Sequence, residues 1–175
     1  MPRKISALPK IYLAHGASGN AASMQPHVAG LRRRGLEGHA VQLPVGLAEK
    51  AVPRYRDQVP DLAGAVIGGQ SYGGRVATLL AAEEPPRGLV LLCFPLHRPG
   101  HPDGSTRVGH FPRINCPVLL LSGEADPFAR LELLRAAVKT MPNARLVTYP
   151  RLGHSLRPVL DDALDRIAEF AWALS

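Results

Sequence analysis

Three short segments carry side chains that could together activate a hydroxyl group: Gly69-Gln70-Ser71-Tyr72-Gly73, Gly123-Glu124-Ala125-Asp126-Pro127 and Gly153-His154-Ser155. A serine hydroxyl is a poor nucleophile at neutral pH. It needs a base within hydrogen-bond reach and a carboxylate that holds the base in the productive tautomer. Ser71, His154 and Asp126 have those chemistries, which makes them the candidate nucleophile, base and acid of an acyl transfer. The serine sits in a G-x-S-x-G pattern after an apolar run and before an Ala/Leu-rich one, where a sharp strand-to-helix turn would lift its hydroxyl out of a sheet. Such a turn strains the serine and crowds its neighbours, so Gly69 and Gly73 are the residues that leave room. Each partner also has a plainer reading. Asp126 could close an Asx turn or cap a helix starting near Phe128, Glu124 is a rival acid nearer the strand end, and His154 could be a surface histidine at a helix start. The conjunction of the three segments is what makes the pattern specific.

The elements that must position these groups follow from the hydrophobic pattern. Apolar runs at 11–14, 39–44, 62–68, 89–94, 118–122 and 145–149 read as strands, and the run at 89–94 is apolar throughout, as in a strand buried on both faces. Helical spacing predicts helices over 23–34, with Ser23 as N-cap and Gly35 as stop, and over 75–84, 129–141 and 156–174. Residues 45–60 read as a surface connection whose short helix is broken by Pro53. Residues 95–117, rich in Gly and Pro, read as a loop too short to be a helical cap. Strands alternating with helices specify an α/β fold: a mostly parallel sheet of about six strands with helices on both faces, in one domain over 1–175. In such a sheet the loops after the strands share one crevice at the carboxyl edge, so the serine, acid and base segments are expected to meet there.

Composition bounds what this crevice can serve. The 175 residues are 46% hydrophobic and 20% charged, ordinary values for a globular protein, and no apolar stretch reaches the 18 or so residues of a membrane span. The basic N-terminus meets Lys10 before any apolar region long enough for a leader, which predicts a cytoplasmic protein. Cys93 and Cys116 belong to no metal or redox spacing and read as reduced, buried thiols. The net charge of +7 could favour anionic substrates or surfaces. Its one dense run, Arg32-Arg33-Arg34, suits the end of a helix, and no aromatic interleaving marks a nucleic-acid site. Asp161, Asp162 and Asp165 fall on the solvated face of the last helix. His97, His101 and His110 lack a ligand signature, so neither metal nor cofactor is expected.

The order Ser71, Asp126, His154, each after a successive strand, is that of α/β-hydrolases. Their geometry puts an oxyanion hole at the N–H of Tyr72 and at one N–H of the loop after the first strand, Ala17 or else Ser18, with His15 as a hydrogen bonder shaping that loop. The set His15-Gly16-Ala17, Gly69 to Arg75, Phe94-Pro95-Leu96-His97, Gly123 to Asp126 and Gly153-His154-Ser155 resembles the small lidless α/β-hydrolases related to dienelactone hydrolases. Within that group it is most similar to the branch that contains subunits of a chromatin-modifying complex. Many relatives in that branch have Arg and Met beside the serine where this chain has Gln70 and Tyr72, and dienelactone hydrolases use a cysteine where it has Ser71. Without a cap, Tyr72, Phe94, Leu96 and Phe128 are expected to border an open crevice for small esters or thioesters. The other reading of the same residues is an idle hydrolase scaffold that binds a protein partner. The oligomeric state is not legible in the sequence.

Overall fold

The computed structural model describes residues 7–103 and 105–175. The first six residues of the basic N-terminal stretch lie outside that range. In chain order the elements are β1 (Ile11–Ala14), α1 (Gln25–Arg33), β2 (Gly38–Val41), α2 (Ala48–Asp57), β3 (Val66–Gln70), α3 (Tyr72–Glu83), β4 (Gly88–Leu92), α4 (Ser105–Val108), β5 (Val118–Gly123), α5 (Leu131–Val138), β6 (Ala144–Tyr149) and α6 (Leu160–Ala173). The strands form a six-stranded sheet in the order β2-β1-β3-β4-β5-β6, and every pairing is parallel. The fold is that of an α/β-hydrolase.

The two-residue period of the strands splits their apolar side chains into two cores. Tyr12, Ile67, Leu89, Leu91 and Leu120 pack with Tyr55 of α2, Val76 and Leu80 of α3 and Leu134 of α5. Ile11, Leu13, Val66, Val90, Leu92, Leu119 and Leu121 pack with Leu31 of α1 and with Leu164 and Ile167 of α6. Covered on both faces, the central strands need apolar residues at every position, which is why they read as unbroken runs. The chain leaves β1 toward β2 on one side and then returns to build β3 to β6 on the other. The order reverses between β1 and β3, which places this switch point at the loops that follow those two strands.

Several local expectations change. One helix, α2, runs through Pro53. Its inner face, with Ala51, Val52 and Tyr55, is buried, and the Tyr55 hydroxyl accepts the Gly68 N–H at 2.9 Å while lying 2.9 Å from the Tyr12 carbonyl. This tie to β1 and β3 outweighs the lost helical bond at proline. Leu62 to Gly64 form a turn, and β3 starts only at Val66. Ser23 closes a short 3-10 turn, its hydroxyl donating to the Asn20 carbonyl at 2.5 Å, and α1 begins at Gln25. The excursion after β4 holds one helical turn, α4, and a 3-10 turn at Phe111–Arg113. Arg34, from the basic run, pairs with Asp165 at 2.7 Å and Asp161 at 3.5 Å, so two carboxylates of the solvated face fasten α1 to α6.

Candidate active site

Ser71 is the single residue between the end of β3 and the start of α3, with φ 48° and ψ −114°. That conformation costs a non-glycine residue about 1–3 kcal/mol and persists only where its surroundings impose it. Here the Ser71 N–H donates to the Leu92 carbonyl of β4 at 2.8 Å, and its own carbonyl accepts the Arg75 N–H at 3.0 Å. The end of β1 presses against the turn from the other side. A Cβ on Gly69 would stand 2.5 Å from the Ala14 oxygen, and one on Gly73 would stand 2.5 Å from that oxygen and 2.6 Å from the His15 oxygen. Glycine at both positions is what lets β1, β3 and α3 close around the serine.

The candidate acid and base are brought together by the register of β5 and β6, whose last pairs are Ser122 with Thr148 and Gly123 with Tyr149. A Cβ on Gly123 would overlap the carbonyls of Leu152 and Gly153, so the loop after β6 lies directly on the loop after β5. His154 reaches back across this contact. Its Nδ1–H donates to Asp126 Oδ2 at 2.7 Å and its Nε2 accepts from Ser71 Oγ at 2.8 Å, which assigns the tautomer. The Asp126 side chain is wholly buried, and its other oxygen, Oδ1, accepts the Phe128 N–H at 2.8 Å. Asp126 thus forms the Asx turn that was its plainer reading and the bond to histidine at once. Glu124 instead accepts from the Thr148 hydroxyl at 2.8 Å. Phe128 lies against the His154 ring at 4.3 Å between centroids.

A second histidine, which the sequence offers only as the end of the Phe-Pro-Leu-His segment and without a metal-ligand signature, organises the acid loop. Buried His97 donates its backbone N–H to the Phe128 carbonyl at 2.9 Å, its Nε2 accepts the Arg130 N–H at 2.9 Å, and its Nδ1–H donates to the Arg98 carbonyl at 2.8 Å. The loop carrying both Asp126 and Phe128 is therefore stapled to the chain after β4. The distinctive Phe-Pro-Leu-His segment was the available signal. His15 is buried, its Nδ1–H donating to the Gly16 carbonyl at 2.7 Å and its Nε2 accepting the Leu43 N–H at 3.0 Å, which shapes the loop after β1. A Cβ on Gly16 would stand 3.6 Å from Gln70 Cγ and 3.9 Å from Ser71 Cβ, so this loop lies over the serine. Ala17 follows it, exposed, with an N–H that has no partner among the described residues. Tyr72 is the first residue of α3, where a helix leaves its N–H groups without intrahelical acceptors. Its hydroxyl donates to the Pro44 carbonyl at 2.8 Å.

The residues expected to border the crevice separate. Phe128 stands against the histidine, whereas Phe94 has no exposed surface and packs edge-on to Phe111 in the core at 5.2 Å. Leu96 is also almost covered, and its free edge faces a groove of about 370 Å³ beside α5, with Val108 and Leu133.

Cys93, free and buried, follows β4 with φ 50°. Its Sγ, an Asp126 oxygen and a His154 nitrogen lie within 4.8 Å of one another, the one group of this kind among the described residues. Burial, reinforced by the Asp126 charge, pushes the Cys93 thiol up to about 12. A metal there would have to displace that proton and break the His154–Asp126 bond, so these donors do not suit one. Burial likewise raises Cys116, to about 11. Among the described residues no helix is long and apolar enough to cross a membrane.

A parallel sheet with a strained serine after its third strand and a histidine–carboxylate pair after its last two defines the α/β-hydrolase class. Residues 44–170 match the family described as alpha/beta hydrolase domain, and the chain belongs to that family. In fold it is similar to the monoacylglycerol lipase of Paleococcus ferrophilus, with a TM-score of 0.82 at 15% identity over 97% of both chains. It is also similar to Est1E of Butyrivibrio proteoclasticus, described with bound ferulic acid, with a TM-score of 0.75 at 18% identity over 99% of this chain and 92% of that one. A thioesterase domain from the curacin biosynthetic pathway gives 0.72 at 16% identity over 95% and 91%.

Proposed function

We propose that this protein is a cofactor-independent serine hydrolase that cleaves carboxylic esters or thioesters of small, accessible substrates. The observation that carries this reading is the continuous hydrogen-bonded chain from Ser71 Oγ through His154 to Asp126, at 2.8 and 2.7 Å. As Ser71 Oγ attacks the substrate carbonyl carbon, its proton passes to His154 Nε2, and the buried Asp126 carboxylate stabilises the imidazolium. The N–H groups of Tyr72 and Ala17 bind the developing oxyanion. His154 then gives its proton to the leaving oxygen or sulfur, the acyl group stays on Ser71, and a water activated by His154 releases it as the acid. The chain acts as one domain in the cytoplasm, without a metal, nucleic acid or membrane partner. The quoted motifs support a place near the dienelactone-hydrolase relatives, with serine in place of their cysteine.

A fluorophosphonate probe tests this reading. Labelling of the wild type that is lost in Ser71→Ala, together with a fall of at least about 10³-fold in 4-nitrophenyl acetate hydrolysis, is the expected result. A folded wild type that neither labels nor cleaves would overturn it in favour of an idle scaffold that binds a protein.

A further inference from the structure

Next to Tyr72, the side chains of Glu49, Arg75, Arg98, His101, Asp103 and Arg107 surround a pocket of about 380 Å³. Three guanidinium groups face two carboxylates there. One of those carboxylates is already engaged, because Glu49 Oε1 accepts from Arg75 Nη2 at 2.8 Å. Arg75 Nε is buried with no partner among the described residues. Arg107 spends one Nη1–H on the Pro95 carbonyl at 2.9 Å. Its cation is disfavoured first by burial and then by the charges of Arg75 and Arg98. Arg98 is exposed on a bridge to His101. Placing cations together in a partly buried pocket is unfavourable unless an anion neutralises them, and guanidinium forks match carboxylate and phosphate oxygens.

This pocket is joined to the nucleophile by the backbone. Arg75 is one helical turn beyond Ser71 and donates its N–H to the Ser71 carbonyl. Pro95, which Arg107 holds, lies two residues after Cys93 beside the acid and base. Tyr72, between Ser71 and Arg75 in the chain, has its phenol raised by burial and next by the Glu49 charge.

We propose that the pocket binds a carboxylate or phosphate group carried by the substrate, so that the enzyme selects esters or thioesters of acidic compounds; this rests on the serine-hydrolase reading above. The test compares two 4-nitrophenyl esters with six-carbon acyl chains, hexanoate and the adipate monoester, which differ by a terminal carboxylate. At low ionic strength the acidic ester is expected to have the higher kcat/KM by about tenfold, mostly through KM, and the advantage should shrink as salt is added. Arg107→Ala is expected to lower the acidic-to-neutral ratio about tenfold, and Arg98→Ala, an exposed position, to lower it in the same direction. A ratio near one in the wild type, or one unchanged by both substitutions, overturns the assignment.

Failure of the catalytic reading is separated by a binding measurement that needs no turnover. The Ser71→Ala protein is titrated with adipate and with inorganic phosphate while its melting temperature is followed. Stabilisation that disappears on adding Arg98→Ala or Arg107→Ala upholds the anion site even if no ester is cleaved, and the stronger of the two anions identifies the group it takes. No stabilisation by either anion overturns the site. Stabilisation without any kinetic preference overturns the assignment to substrate.

Discussion

The two polar clusters around Ser71 and around Arg107 handle charge in opposite ways. Around Ser71 the three side chains are already engaged with one another: Asp126 accepts from His154 and Phe128, and His154 bonds both its neighbours. In the arginine pocket cations outnumber carboxylates and one buried guanidinium N–H has no partner among the described residues. A reaction site works when its dipoles are fixed before charge develops in the transition state. A binding site works when charge is left over for the ligand. The contrast separates a preorganised centre from one completed by what it binds.

The sharpest way to break this contrast is at the acid. Asp126→Asn keeps the shape but donates toward His154 instead of accepting, and is expected to reduce kcat on 4-nitrophenyl acetate by about 10⁴-fold with the melting temperature little changed. A rate within about tenfold of wild type would move the acid role to Glu124. Next in size is Gly123→Ala, whose Cβ has no space beneath the carbonyls of Leu152 and Gly153. A loss of about 3 kcal/mol, read as a fall of about 9 °C in melting temperature, is expected, with lower kcat as the acid and base loops part.

The cationic side offers a pH test. His110, buried and 2.8 Å from the Thr78 hydroxyl, is held at about 4, first by burial and then by Arg113 and Arg75. In the unfolded chain it titrates near 6.5 and so takes up its proton first as the pH falls. Its contribution is complete above 6.5 and is lost between there and about 4, amounting to about 3 kcal/mol. Thermal unfolding across that range should be steeper for the wild type than for His110→Gln, and equal slopes would remove His110 from the account. His27, lowered by burial, acts with the same sign.

The smallest effect sharpens the comparison most. If His97 positions the acid loop, His97→Ala should lower kcat about tenfold at nearly constant KM, with part of the loss recovered in His97→Gln, which can still accept from the Arg130 N–H. Loss of stability alone, with kcat intact, would reduce His97 to a packing residue.

Much of the candidate site was legible because the chemistry proposed for it demands particular residue types at strand ends. Ser71, Asp126 and His154 were readable for that reason, and so were the central strands, whose two buried faces leave unbroken apolar runs. The errors share one cause. Pro53 suggests a break from local propensity, but the packing of Tyr55 under β1 and β3 holds α2 together. Phe94 looks like a crevice residue by its position after a strand, yet its ring turns into the core against Phe111. The Phe-Pro-Leu-His segment marks His97 without revealing its role, since its partners Phe128 and Arg130 are more than thirty positions away.

The sequence by itself therefore determined the alternation of strands and helices and the parallel sheet, and it offered Ser71, His154 and two rival carboxylates as candidates, because these follow from period, glycine placement and side-chain chemistry. Only the tertiary structure decided which carboxylate meets the histidine, which histidine braces the acid loop and which arginines converge. Those outcomes depend on contacts between distant segments, set by strand register and by glycines whose missing Cβ atoms allow two loops to touch.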